Sequence, residues 1–368
     1  MPQSHWVSVT LCPISFVILI GLQCSVFSED KELSMTRDEN AALFKQHSVY
    51  YERDNTGTFV VVGAASFKWS SNNTDVAKAI GSLHDLRELD CGPSNLSDRE
   101  LQFFSTLSRL RHLNLSGTQV TGEGFKYLSG MTDLRELHCA PKEQADLAMK
   151  HIAALRTLER LGLCHSLVTD AGIAHIGRLT RMRELDLGQC PRLTGKAMAH
   201  LTKLKGLKDL GIGHTAIDDE GCQYLAELPN LEKLFAAPSR VTDAGVVRLK
   251  TLKNLEVLCV GPGITDAGLV HLAGMTKLKT LYLPECQITD EGLRKLQGLK
   301  NIENLVLLGT RITDASVDTL AGFPKLKDVL AMDTQMTKKG VTELKKRLPE
   351  CDCTIGPSLR TRKNKGGG

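Results

Sequence analysis

The chain has 368 residues, of which 24% are charged and 42% hydrophobic, a globular composition that excludes disorder along most of its length. Its formal charge of +4 and its eleven cysteines raise two simple readings, a nucleic-acid binder and a disulfide scaffold. Both turn on where those residues lie. Aromatic residues make up only 5% of the chain, whereas it holds 56 Leu and 32 Gly, the balance expected of a repeating unit with small turns.

Residues 1–28 contain no Lys, Arg, Asp or Glu, and Phe16 to Leu22 form an apolar centre ahead of Glu29-Asp30-Lys31. This predicts an export signal cleaved after Ser28, with Val26 and Ser28 at the positions that require small residues. An uncleaved anchor over residues 6–27 is the alternative, weakened by Pro13 and the polar residues around it. Residues 29–82 are predicted to form an N-terminal cap with a degenerate first coil. Its elements are a helix around Ala41 to His47, Val49-Tyr50-Tyr51, the turn Asp54-Asn55-Thr56-Gly57, and Phe59 to Val62, a hairpin signal. Trp69 and Val76 to Leu83 complete it.

Residues 83–349 repeat. An L-x-x-L-x-L core recurs eleven times, from Leu86/Leu89/Cys91 to Leu326/Val329/Ala331, with starts 23 to 25 residues apart. Such a period is the signature of a solenoid. Each repeat then carries a second signature, as in Val168-Thr169-Asp170-Ala171-Gly172 and Ile264-Thr265-Asp266-Ala267-Gly268. Thr suits a helix N-cap and the following Asp suits the positive end of the helix dipole, so a helix is predicted after each strand. Residues 350–368 are read as the end of a C-terminal cap and a basic disordered tail. From Lys338 onward nine Lys and Arg face three acids, a net of +6 that leaves −2 for the rest. The basic excess is therefore a property of one end, and no specific nucleic-acid binding is expected of the solenoid.

These motifs resemble the leucine-rich-repeat family of the ribonuclease-inhibitor-like, cysteine-containing type. L-x-x-L-x-L followed by T-D-A-G-L is similar to exported bacterial leucine-rich-repeat proteins and to the repeat part of F-box substrate receptors. The resemblance implies an α/β right-handed horseshoe, with parallel strands on the concave face and helices on the convex one. It further implies a non-enzymatic scaffold for a protein or peptide ligand. A receptor role in ubiquitin-dependent degradation is an alternative, and residues 29–82 show no convincing F-box-like helical segment to support it.

Within L1-x2-x3-L4-x5-L6, strand alternation points x3 and x5 away from the core. The C-terminal half of this inner surface reads Phe235, Val257, Cys259, Tyr282, Val306 and Leu330, an apolar stripe where burial in the core gives no reason for one. The N-terminal half reads Glu88, Asp90, His112, Glu136, His138, Glu184 and Asp186, a polar surface. Both are candidate ligand-binding positions. No catalytic residue, metal or cofactor is expected, since no nucleophile–base–orienter set and no phosphate-binding glycine loop occurs. A hydrolase using Cys164-His165 or the His112/His138 region is the enzymatic alternative. The expected molecule is an exported monomer of the cell envelope or secreted space, membrane-bound only if residues 1–28 remain as an anchor. Cys91 and Cys139 fall on the L6 position, and Cys190 and Cys286 fall where other repeats place Thr or Ser. Cys351 and Cys353 stand outside the pattern.

Overall fold

A computed structural model of the chain describes residues 36–64, 67–69 and 74–357. The signal or anchor reading of residues 1–28 and the tail beyond Pro357 lie outside them. Helix α1 (Arg37–Gln46) starts at Thr36, whose hydroxyl accepts the Glu39 N–H while the Glu39 carboxylate accepts the Thr36 N–H at 2.6 Å. This reciprocal pair satisfies two donors that a helix start leaves open. The hairpin β1 (Tyr50–Arg53) and β2 (Phe59–Gly63) follows as an antiparallel pair. Phe44, Phe59 and Trp69 are buried, with Phe44 and Phe59 edge to face at 5.5 Å. Helix α2 (Thr74–Gly81) then packs Val76, Ala77 and Ile80 inward.

Eleven parallel strands carry the repeats: β3 (Glu88–Asp90), β4 (His112–Leu115), β5 (Glu136–Cys139), β6 (Arg160–Gly162), β7 (Glu184–Asp186), β8 (Asp209–Gly211), β9 (Lys233–Phe235), β10 (Val257–Cys259), β11 (Thr280–Tyr282), β12 (Asn304–Val306) and β13 (Asp328–Met332). Strand β14 (Asp352–Gly356) adds a further rung, and all fourteen pair in chain order in one open sheet. The leucines of each rung are buried: Leu110, Leu113 and Leu115 are at most 1% exposed. Because no coil can bury its apolar side alone, stacking creates the core.

Strand β14 was not expected from the L-x-x-L-x-L pattern. Cys353 pairs with Val329 and Ile355 with Ala331, so Cys353 occupies the L4 position of a twelfth rung and the C-terminal cap continues the sheet. A second difference concerns the convex layer. Most coils carry a short α-helix, such as α5 (Asp170–Ile176) or α9 (Asp266–Leu272), but the coil after β4 carries a 3-10 helix, Gly124–Gly130. There Gly122 and Gly124 flank Glu123, and glycines weaken an α-helical start.

The Thr-Asp pair does more than start helices. In eight interfaces the Asp of one coil accepts both the backbone N–H and the hydroxyl of the Thr that begins the next helix. Asp266 takes Thr289 N–H at 2.9 Å and Oγ1–H at 2.6 Å, and Asp98, Asp146, Asp170, Asp219, Asp243, Asp290 and Asp314 hold Thr121, Thr169, Thr194, Thr242, Thr265, Thr313 and Thr337 likewise. The Thr289 hydroxyl in turn accepts the Glu291 N–H at 3.2 Å. The glycine of the motif makes room, because a Cβ at Gly172, Gly245, Gly268 or Gly292 would run into the carboxylate of the preceding coil. Where Ser316 replaces that glycine, its hydroxyl instead donates to Asp290 Oδ1.

The ladder is interrupted after β4 and after β7, where Gly122 and Gly195 stand in place of the Asp. Opposite Gly195 the next coil begins with Asp218, not Thr. Asp218 caps α7 (Asp219–Leu225), and a Cβ at Gly195 would meet its Oδ1. An Asp at residue 195 would set two carboxylates together, so the two departures from the motif compensate one another.

Candidate functional site

Parallel registration places the x3 and x5 residues in two files across the concave sheet. Glu88, His112, Glu136, Arg160, Glu184 and Asp209 follow one another in the x3 file, and Asp90, Asn114, His138, Gly162, Asp186 and Gly211 in the x5 file. Phe235, Cys259, Tyr282, Val306 and Leu330 continue the x5 file from β9 to β13, with Val257 beside them in x3. With strands ~4.8 Å apart, that run is about 20 Å long.

The polar half is knit together by its own side chains. Glu136 accepts from Arg160 Nε at 2.7 Å and lies 3.1 Å from His112 Nδ1 and 2.8 Å from His138 Nε2. Burial works to raise its pKa, but the hydrogen bonds from His112, His138 and Arg160 and the Arg160 charge hold the carboxyl well below the usual carboxylate range. Asp90 Oδ1 accepts the Gly92 N–H at 3.0 Å and Asn114 Nδ2 at 2.9 Å, and Asp186 Oδ1 accepts the Gly188 N–H at 2.9 Å. An Asp or Asn at x5 therefore fastens the turn after its strand, as Asn114 also does with the Ser116 N–H. Partial burial raises the pKa of Asp90 and Asp209. No group of three His, Cys, Asp or Glu among the described residues has the arrangement to hold a metal ion.

The apolar stripe differs from its expected form at one residue. Cys259 is 0% exposed and does not face a ligand. Phe235 and Tyr282, on the strands either side of β10, lean together to 6.4 Å between ring centroids and roof it. Two strand spacings would set their backbones ~10 Å apart, so the tilt closes a gap that a larger residue than Cys would fill. Burial pushes the Cys259 thiol up to about 12, and burial first, with Cys259 beside it, raises Tyr282. Phe235, Val257, Tyr282, Val306 and Leu330 are half-buried, leaving a low apolar ridge of ring and methyl edges. Strand β14 extends the sheet beside Leu330, with Thr354 as its neighbour.

The cysteines give no thiolate centre among those with resolved shifts. Burial raises Cys91, Cys139, Cys190, Cys222, Cys286, Cys351 and Cys353, with Cys190 and Cys222 at about 12 and Cys351 at about 11. A catalytic cysteine requires the opposite shift. Cys190 Sγ donates to Leu163 O at 3.2 Å and Cys286 Sγ to Gly261 O at 2.9 Å. At the same position Ser166 likewise donates to the preceding coil, to Pro141 O at 3.2 Å, whereas Thr310 donates to Leu307 O of its own coil at 2.7 Å, so Cys serves here as a variant of the Ser that ties neighbouring turns. Cys164 is half-buried beside His165, whose backbone adopts φ 65° in the left-handed region and donates its N–H to Gly188 O at 3.0 Å.

The Leucine Rich repeat family matches at residues 108–129 and 274–296. Comparison with the curated proteins finds no match. Among solved structures, an internalin (InlF) from Listeria monocytogenes is similar at 19% identity, with a TM-score of 0.62 over 87% of this chain and 88% of that one. A leucine-rich-repeat protein of Leptospira interrogans is similar at 19% identity, with a TM-score of 0.51 over 75% and 80%. No helix among the described residues is long and apolar enough to cross a membrane. Two matched repeats, eleven strands in register and a shared fold make this chain a leucine-rich-repeat solenoid.

Proposed function

We propose that the chain is a non-enzymatic scaffold that binds a segment of another protein on its concave face, acting as a monomer exported under the direction of residues 1–28. Open solenoids present such surfaces by construction. The observation that carries the reading is the Phe235–Tyr282 ridge, continued by Val306 and Leu330. Aromatic side chains are scarce in this sequence, and these two sit on the inward file in place of polar residues, where a contiguous apolar patch marks interaction. Aromatic anchors of this kind carry a large share of interface energy.

The test is capture of protein from the native envelope by the full chain, compared with the Phe235→Ser/Tyr282→Ser double variant. The expected result is loss of the captured protein in the variant with circular dichroism unchanged. Retained capture refutes the concave ridge as the binding surface. Cleavage of the export signal is checked separately by the mass of the secreted chain, which should begin at Glu29.

A further inference from the structure

Resting on the concave-face reading, we propose that the partner is an extended segment carrying a cationic residue three positions before an apolar one, the cation lying on Glu184 and Asp186 and the apolar residue on Phe235. Charge supports this first. The two inward files from β3 to β14 hold eight carboxylates against only Arg160 and Lys233, a net of −6, while the whole chain is +4. The acidity belongs to this face and is opposite to that of the rest of the molecule.

Both inward cations are hydrogen-bonded to neighbouring carboxylates. Arg160 donates to Glu136 at 2.7 Å and Lys233 to Asp209 at 3.1 Å. Along the rim before the strands, opposite charges likewise pair across coils, as in Lys208 with Glu232 at 2.6 Å. On β7, Glu184 and Asp186 present two carboxylates in adjacent files, and the next x5 position, Gly211, has no side chain to separate them from Phe235. A carboxylate pair and an aromatic ridge meeting across a glycine suit a cation followed by an apolar group, and they disfavour an acidic segment.

Spacing sets the register. β7 and β9 are two strands apart, about 10 Å, which a segment in the extended polyproline II conformation, at ~3.1 Å per residue and three residues per turn, covers in three residues while returning its side chains to the same face. Tyr282 on β11 lies about 19 Å from β7, six residues along. The recognised pattern is a Lys or Arg with apolar residues three and six positions later.

The experiment selects binders from a phage-displayed random dodecapeptide library on the full chain at low salt. Wild type is expected to enrich Lys and Arg over Asp and Glu at least fivefold, with an apolar residue three positions after the cation. The same binders should lose about tenfold in affinity on Glu184→Gln/Asp186→Asn. Asn keeps the oxygen that accepts the Gly188 N–H, so the fold is retained. They should also lose binding on Phe235→Ser/Tyr282→Ser. Binders that need Phe235 and Tyr282 but show no cationic bias overturn the partner class and leave the concave-face reading standing. Binders indifferent to both variants, or no binders at all, overturn both. If changing Arg360, Arg362, Lys363 and Lys365 together to Gln tightens every selected peptide, the occupant is the chain's own basic end, and the intermolecular partner is refuted.

Discussion

The coil-to-coil bond between Asp266 and Thr289 offers a direct measure of what holds the solenoid in register. Asp266→Ala removes the acceptor of two hydrogen bonds, at 2.9 and 2.6 Å. Hydrogen bonds to a charged group contribute about 1.5–3 kcal/mol each when buried. The pair is only part-buried and water recovers some of the loss, so the expected cost is ~2 kcal/mol. Thr289→Val removes one of these bonds together with the cap on Glu291 N–H, itself worth ~1 kcal/mol, and should cost about the same. Because both variants break one shared contact, the double variant should fall short of additivity by at least 1 kcal/mol, as neighbours in one network do. Gly292→Ala adds a second arm. Its Cβ runs into Asp266 Oδ1, so it should be costly in wild type and much less so in the Asp266→Ala background. Urea unfolding followed by far-UV circular dichroism measures the energies, and amide exchange of α9 and the following helix localises them. Strict additivity of Asp266→Ala and Thr289→Val, or a cost below 0.5 kcal/mol for either, would refute the ladder as a stabilising device.

Three further outcomes are expected. Glu136 has a lowered pKa in the fold, so its contribution is fully present above the ordinary carboxylate range and is lost only as pH falls through the depressed folded value; the stability deficit of Glu136→Gln at pH 7 should therefore still be measurable at pH 3, and a deficit that disappears by pH 4 contradicts the His112–His138–Arg160 clasp. Cys259, roofed and with its thiol pushed up to about 12, should react slowly with iodoacetamide at pH 7.5. Mass spectrometry should find its labelling at least tenfold faster in Phe235→Ser/Tyr282→Ser, and an unchanged rate would mean that the rings do not cover it. Cys286→Ser should be nearly neutral because Ser166 makes the equivalent bond to its preceding coil, whereas Cys286→Val leaves Gly261 O with only the Ile264 N–H at 3.2 Å and should cost ~1 kcal/mol, read from thermal unfolding.

Much of the architecture is written in single-repeat chemistry. Leu110, Leu113 and Leu115 announce a buried rung by their spacing, and Thr265 announces a helix start, because each role depends on neighbours within a few residues. The function of Asp266 is less legible. Its partner Thr289 is 23 residues away, so a dipole argument explains why the Asp is tolerated but not what it binds. Signal for it does exist in the sequence, in the joint loss of Asp and Thr at Gly195 and Asp218. Cys259 shows the other limit. Strand parity points it inward on the concave face, but the lean of Phe235 and Tyr282 is set by side-chain packing that parity does not encode. Strand β14 escaped because Cys353 and Ile355 fill leucine positions without leucine, leaving hydrogen-bonded pairing with β13 to reveal the rung.

The missing rung at Gly195 has a bearing on how binding would be felt. Stability in a stacked repeat is a sum of coil and interface terms, so an interface without the Asp–Thr bond, at Gly195 as at Gly122, is a natural place for the array to part. That seam lies between the coils of β7 and β8, with the Glu184–Asp186 pair on one side and the Phe235–Tyr282 ridge on the other. A segment contacting both would act as a splint across the seam, and part of its binding free energy would appear as added coupling between the coils on either side. Protection from amide exchange at the seam, far from any contacted side chain on the convex layer, is the expected trace of occupancy on the concave one.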